Sequence, residues 1–197
     1  MTVRVRPMQL GDVGQVTAIE RTAFSSPWSP RTYIYEMTES DYSHMLSVTL
    51  PSAPLPAAPR WARLLLRWRP TPAEHLVAYG GLWHLYDEAH ISTIASHPEH
   101  RGQGYGELAL LAMMQRAVVL GAAYVALEVR VSNTRAQALY HKHGFQVAGV
   151  KLRYYHDNGE NAYDMRLPLT DPICQRVTEV YHAACQRMTV SDSYTGG

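Results

Sequence analysis

One stretch, residues 91–120, constrains this chain more than any other. Ile91-Ser92-Thr93-Ile94-Ala95-Ser96 has the composition of a strand and ends at His97-Pro98. Gly102, Gly104 and Gly106 follow, and an apolar run then leads to Gly121. A strand feeding a helix through so short a glycine-rich loop leaves the first amide groups of the helix unpaired and outward-facing. Such amides bind anions, and glycine lets a phosphate approach the backbone. Arg101, just ahead of the first glycine, adds a charge-assisted contact. Spacing excludes two familiar phosphate motifs. A Walker loop ends in Gly-Lys-Ser or Gly-Lys-Thr, and the chain has no Gly-Lys pair. A dinucleotide fingerprint reads G-x-G-x-x-G, whereas the glycines here read G-x-G-x-G. Taken alone, the loop is equally readable as a turn before an ordinary helix.

Strand and helix patterns alternate around this unit. Strands are expected at 3–7, 43–50, 76–86, 89–96, 123–131, 145–155 and 161–169, and helices at 11–23, 31–39 and 106–120. Ser29-Pro30 marks a helix start, and Asn133 caps a further helix that ends at Gly144. Asn158-Gly159, within His156-Asp157-Asn158-Gly159, signals a hairpin with a type I′ turn. The fold class that follows is α/β (α+β), with one central sheet.

The alternation breaks once. Residues 51–75 hold six of the chain's twelve prolines and four of its sixteen arginines against one acid, Glu74, and read as an inserted loop. Within it, 61–69 puts Trp61, Leu64, Leu65 and Trp68 at helical spacing, favouring a short lid over a membrane-surface helix. Beyond the domain at 1–169, an extension over 170–197 opens with an amphipathic helix at 171–188. Ile173, Val177, Val180, Tyr181, Ala184 and Met188 share one of its faces, and a frayed tail is expected from Ser191. Cys174 and Cys185 on this helix are separated by about 16 Å of rise. That is too far for a disulfide, and buried thiols are expected.

With 46% apolar residues and a net charge of +1, the 197-residue chain can bury a core but has no field with which to grip nucleic acid or an anionic membrane. Two cysteines make no disulfide scaffold, and the opening residues lack the apolar run of a signal peptide. No run reaches the about 18 apolar residues of a membrane span. A cytoplasmic protein without nucleic-acid or membrane partners is expected.

Arg101-x-x-Gly104-x-Gly106, set between strand and helix, resembles the acetyl-CoA pyrophosphate loop of the GNAT N-acetyltransferase superfamily. Further segments resemble its RimI-like branch, the ribosomal-protein alanine N-acetyltransferases. In chain order these are Phe24-Ser25-Ser26-Pro27-Trp28-Ser29, Leu127-Glu128-Val129-Arg130-Val131-Ser132-Asn133, Ala138-Leu139-Tyr140, Gly144-Phe145, and Arg153-Tyr154-Tyr155 with Gly159-Glu160-Asn161-Ala162. The likeness covers 3–169 apart from the insert. It implies a mixed, mostly antiparallel sheet, helices on both faces, and an acetyl-CoA cleft where neighbouring strands splay. It also implies cofactor contacts at Ile94, Ala95 and Ser96, around the pyrophosphate at Arg101, Gly102, Gln103, Gly104, Tyr105, Gly106 and Glu107, and at Asn133, whose capping role needs no ligand. Phe24, Trp28, Tyr154 and Tyr155 match the family's peptide groove.

By the same resemblance Glu128 is the general base and Tyr140 the general acid. Alternation permits the first role: Val125, Leu127 and Val129 point one way along the strand, Tyr124, Ala126, Glu128 and Arg130 the other. On pattern alone, Glu128 reads as a solvated carboxylate and Tyr140 as a core tyrosine. The base has a light task if the acceptor is an α-amine, since about a third of it is neutral at pH 7.5, against about 0.1% of a lysine. A phenol with a pKa near 10 stays protonated and can supply a thiolate whose thiol lies near 8.5.

The expectation is acetyl-CoA-dependent transfer to a protein N-terminal amine, with a ribosomal protein as partner, by direct attack, because no cysteine sits in the motifs. An enzyme of this fold acting on a small amine or a lysine side chain stays open, as does a silent acyl-CoA-binding module. No metal is expected, since His97 and His100, like His141 and His143, lack a third ligand at a metal-binding spacing. Two departures from the family stand out. Glu107 sets an acid beside the expected pyrophosphate, and Asn161 replaces the aspartate of a Gly-Glu-Asp-Ala hairpin.

Overall fold

The computed structural model describes residues 2–52 and 74–196, so the expected lid at 61–69 lies outside the described residues. In β1 (Val3–Pro7) Val3 and Val5 turn inward and the arginines between and after them do not. A 3₁₀ turn leads into α1 (Val13–Ala23). The Ser29 hydroxyl accepts from the Thr32 N–H to cap α2 (Pro30–Thr38), with Pro30 in the first turn. β2 (Ser43–Pro51), β3 (Glu74–Leu85) and β4 (Glu88–Ser96) pair antiparallel in succession. Then come α3 (Tyr105–Val119), β5 (Tyr124–Arg130), α4 (Thr134–Lys142), β6 (Gln146–Tyr155), β7 (Glu160–Pro168), α5 (Asp171–Met188) and β8 (Val190–Asp192).

The strands form one sheet in the order β6-β7-β5-β4-β3-β2-β1-β8, antiparallel except at β4–β5 and β1–β8. α1 and α2 cover one face through Val16, Ile19 and Tyr33, which pack with Met45, Leu76 and Tyr79 of the sheet. α3 and α5 share the core of the other face. Buried residues run round most of α3, from Leu108 to Met114 without a break, as suits a helix held between a sheet and a second helix. The expected mixed, mostly antiparallel sheet with helices on both faces is therefore what the chain forms.

One seam positions the site. β4 and β5 pair only at Glu88↔Tyr124, Ala89↔Val125 and His90↔Ala126, and then part. β4 is bent at that point: its register with β3 shifts between Gly81 and Leu82, leaving Ser92 as a bulge. Gly81 makes room for it, since a Cβ there would stand 2.8 Å from Ser92 Oγ and 2.7 Å from Met45 Sδ. β5 meanwhile continues along β7 as far as Arg130↔Ala162. Residues 91–96 and 127–130 thus face each other across a gap.

Three local expectations fail. The β6–β7 hairpin closes at Tyr155↔Glu160 over a four-residue loop in which only Gly159 has positive φ, 71°. A type I′ turn needs both central residues left-handed. Here Arg130 holds the Asp157 carboxylate and Asn158 Oδ1, and Asn158 Oδ1 also accepts from the Glu160 N–H, so tertiary contacts set the loop. Val180 is 37% exposed, while Val177, Tyr181 and Ala184 carry the buried face of α5; Cys174 and Cys185 are free thiols, half-buried rather than buried.

The tail is not frayed. Thr189, left-handed at φ 52°, reverses the chain, β8 pairs with β1, and Asp192 Oδ1 accepts from the Tyr194 and Thr195 amides. Tyr194 is 5% exposed and its hydroxyl donates to the His44 carbonyl at 3.0 Å. Tyr194→Ala is expected to cost about 3 kcal/mol and Tyr194→Phe about 1 kcal/mol, read as shifts of the urea midpoint. A frayed tail would give no shift with either.

Candidate active site

One wall of the gap is the glycine loop. Gly102 and Gly104 sit at φ 82° and 88°, where an L side chain costs about 1–2 kcal/mol. Gly104 is the N-cap of α3 and has no side chain with which to cap it, so the first-turn N–H groups stay available to an anion. Gly106 serves close packing, since a Cβ there would stand 2.6 Å from Ser96 Oγ. A cavity of about 580 Å³ opens here, lined by Ile94, Ala95, Ser96, Arg101, Gly102, Gly104, Tyr105, Gly106, Glu107 and Asn133 among others. Arg135, from the first turn of α4, lines it as well and lies by Gly102; nothing in the local sequence pointed to this second guanidinium.

Two loop residues differ from their expected settings. The Gln103 side chain is not in the lining but turns back to donate to the Glu99 carbonyl at 3.2 Å. Glu107 Oε1 accepts from Lys142 Nζ at 2.7 Å and meets His143 Nε2 at 2.9 Å. Burial raises the Glu107 pKa, but these two partners outweigh it and hold it below the ordinary value. The acid is thereby neutralised from the end of α4.

The other side of the gap is a cavity of about 370 Å³ lined by Phe24, Trp28, Glu128, Tyr140, Tyr154 and Tyr155, with Glu20 and Thr93 at its back. The four residues expected to hold a peptide and both expected catalytic groups therefore gather in one place. Ala23, Phe24, Ile94, Asn133, Ala136 and Tyr140 line both cavities, which makes them two arms of one cleft. Asn133 Oδ1 also accepts from the Ala136 N–H, capping α4. Trp28 lies flat against Trp83, ring centroids 6.1 Å apart.

Glu128 is more heavily engaged than its strand position indicated. Its side chain is 8% exposed, Oε2 lies 3.0 Å from His90 Nε2, and Oε1 accepts from Lys151 Nζ. Burial pushes its pKa up, but His90 and Lys151 prevail and hold it at about 2. His90 Nδ1 in turn meets Glu88 Oε1 at 3.1 Å, and the Tyr124 hydroxyl donates to Glu88 Oε2 at 2.6 Å. Burial lowers the His90 pKa, yet its two carboxylates raise it overall. A hydrogen-bonded chain thus runs from the cleft to Glu88, whose side chain is 36% exposed. Tyr140, 6% exposed, is raised by burial and then by Tyr155, so its phenol is protonated at neutral pH. Burial pushes Tyr155 up to about 12, although the Arg130 guanidinium lies 3.8 Å above its ring.

Glu20, also unforeseen, organises the back wall. It is 2% exposed and accepts from the hydroxyls of Tyr33, Tyr79 at 2.6 Å and Thr93 at 3.3 Å, and from the Trp28 N–H at 3.2 Å. Its one sequence signal is a carboxylate beside Ile19 on the buried face of α1. Asn161 Oδ1 accepts from the Arg153 N–H at 2.9 Å, steadying the irregular end of β6 that carries Tyr154 and Tyr155. Aspartate would make the same contact. Finally, the expectation of no third ligand near His97 and His100 is corrected, because β3 brings His75 to them.

A parted parallel seam with an anion cradle on one side and an aromatic groove on the other is the frame of an acyl-transfer enzyme. Residues 15–145 match the acetyltransferase (GNAT) family, and the chain belongs to it. Over 167 residues, 85% of this chain and 96% of the relative, it is 35% identical to a Bacillus subtilis protein that carries the name of a ribosomal protein bS18-alanine N-acetyltransferase. The crystal structure of the ribosomal-protein-S18-alanine N-acetyltransferase from Escherichia coli superposes with a TM-score of 0.67 at 25% identity, covering 86% of this chain and 95% of that one. The NatC complex bound to Gag peptide and CoA shares the fold, with a TM-score of 0.65 at 18% identity over 86% of this chain and 100% of that one. No helix among the described residues is long and apolar enough to cross a membrane.

Removing the Glu20 carboxylate strands the Tyr33 and Tyr79 hydroxyls in the core. Glu20→Ala is expected to lower stability by about 3 kcal/mol, with Glu20→Gln losing less because an amide oxygen still accepts. Equilibrium urea unfolding of both variants checks the order.

Proposed function

We propose that the protein is an acetyl-CoA-dependent Nα-acetyltransferase that modifies the N-terminal alanine of a ribosomal protein in the cytoplasm, with residues 1–169 carrying the activity. The observation behind this reading is the meeting of the glycine-lined cradle and the aromatic groove at Tyr140. The cradle suits a donor carrying phosphates: its glycines keep first-turn amides open, and Arg101 and Arg135 supply positive charge. Such a donor supplies an acyl group activated as a thioester, which the amine attacks directly.

At about 2, Glu128 is too weak a base to strip an ammonium near 7.8 by itself. Its part is to orient the neutral amine, or the water that takes the proton, with His90 and Glu88 leading toward solvent. Tyr140 holds a proton where the two arms join and gives it to the departing sulfur. Phe24, Trp28, Tyr154 and Tyr155 grip the first residues of the acceptor. The lining offers a polyamine little, because its carboxylates, Glu20 and Glu128, are already hydrogen-bonded.

Thiol release is expected with a peptide bearing a free N-terminal alanine and no lysine, and not with one that is N-terminally blocked and carries one internal lysine. Glu128→Gln and Tyr140→Phe are each expected to lower kcat by about 100-fold. Release with the lysine peptide alone overturns the reading.

The pH profile gives a separate check. Glu128 is ionised throughout the working range, so protonation near 4.5 sets no limb. Rate should rise with pH as the acceptor amine deprotonates, levelling near 8. Two peptides differing in N-terminal pKa should shift that limb; an unmoved limb assigns it to the enzyme instead.

A further inference from the structure

Three imidazoles converge beside the glycine loop and outside the acyl-transfer groups. His75 lies at the start of β3, and His97 and His100 bracket the 3₁₀ turn that leads from β4 into the loop. One ring nitrogen from each lies within 4.8 Å of the others, and the ring centroids stand 5.2, 5.1 and 5.5 Å apart. Each residue is half-buried. The packing leaves a polar debt: His100 Nδ1 is buried without a hydrogen-bond partner among the described residues. His97 Nδ1 accepts only a long bond, 3.3 Å, from the Glu99 N–H. Coordination through either nitrogen of that ring displaces this bond, a small loss beside a metal–nitrogen bond.

We propose that His75, His97 and His100 bind one divalent transition-metal ion, tying the start of β3 to the entrance of the glycine loop. Three neutral nitrogen donors select zinc, cobalt, nickel or copper over magnesium or calcium. In a tetrahedral site nitrogens at about 2.0–2.1 Å from the ion lie about 3.3 Å from one another. The rings therefore close by at most about 1.5 Å, a movement that rotation of half-exposed side chains provides. The fourth position is left for water or an external ligand. His100 also lines the donor cavity, which puts the ion at the rim of the phosphate cradle.

The test uses the full chain without an affinity tag, stripped with a chelator and titrated with zinc against a chromophoric competitor. One ion per chain is expected. His75→Ala and His100→Ala, each confirmed folded by circular dichroism, should weaken binding by at least about 100-fold, while His141→Ala should not. Cobalt(II) added to the unsubstituted protein should give the intense visible absorption of a tetrahedral site, a readout that depends on no variant. Binding no tighter than about 100 μM, or binding indifferent to both substitutions, overturns the proposal.

Discussion

Two neighbouring parallel strands that hold together for three residue pairs and then separate are the constraint on which the rest of the molecule turns. Each has another partner to keep it straight or bend it: β5 stays on β7, while β4 follows β3 through the Ser92 bulge. Glycine at 81 is what admits that bulge, against Met45 on one side and Ser92 on the other. Backbone groups that would have paired across the seam are instead exposed to the cleft. α1 with the loop that follows it, and α4, close it into two arms, and the loop into α3 supplies a floor of unpaired amides.

The electrostatics of the cleft follow from how deeply the carboxylates are engaged. Glu20 and Glu128 both line it, yet Glu20 is given over to three hydroxyls and an amide, and Glu128 to an imidazole and an ammonium. A carboxylate so bound is a fixed acceptor more than a mobile base. The imidazole between Glu128 and Glu88 is held by two carboxylates, which raise its pKa against the lowering effect of burial. The residue that links the two carboxylates thus lies on β4, the strand whose departure opens the cleft.

Much of this was legible in the sequence, for a physical reason. Strand alternation, the caps at Ser29 and Asn133, and the glycines at 102, 104 and 106 are local signals, and each marks an element close to where it forms. The groove aromatics were legible through resemblance, not through spacing. What escaped was non-local. Lys151 reaches Glu128 across β7, Arg135 reaches the glycine-loop cavity from α4, and His75 joins His97 across a β-hairpin. The hairpin loop escaped because Arg130, more than twenty residues earlier, overrides the local preference of Asn158-Gly159. β8 escaped because three residues with little apolar character announce no strand, and its worth lies in what Tyr194 buries next to it.

The pairing of β8 with β1 also sets a timetable. Val3 meets Val190 in register, so the outer edge of β1 receives its covering strand only when the last segment of the sheet has been made. At ribosomal speeds the interval between the two is of the order of ten to forty seconds. Throughout it β1 presents an open row of donors and acceptors, the geometry from which strands of different molecules associate. Arg4 and Arg6, on the face of β1 opposite Val3 and Val5, are held by Glu74, and Arg6 by Asp12 as well, so their charge is satisfied within the sheet and does not guard that edge. The protection of this edge therefore waits on the β8 segment itself, and not on charge placed along β1.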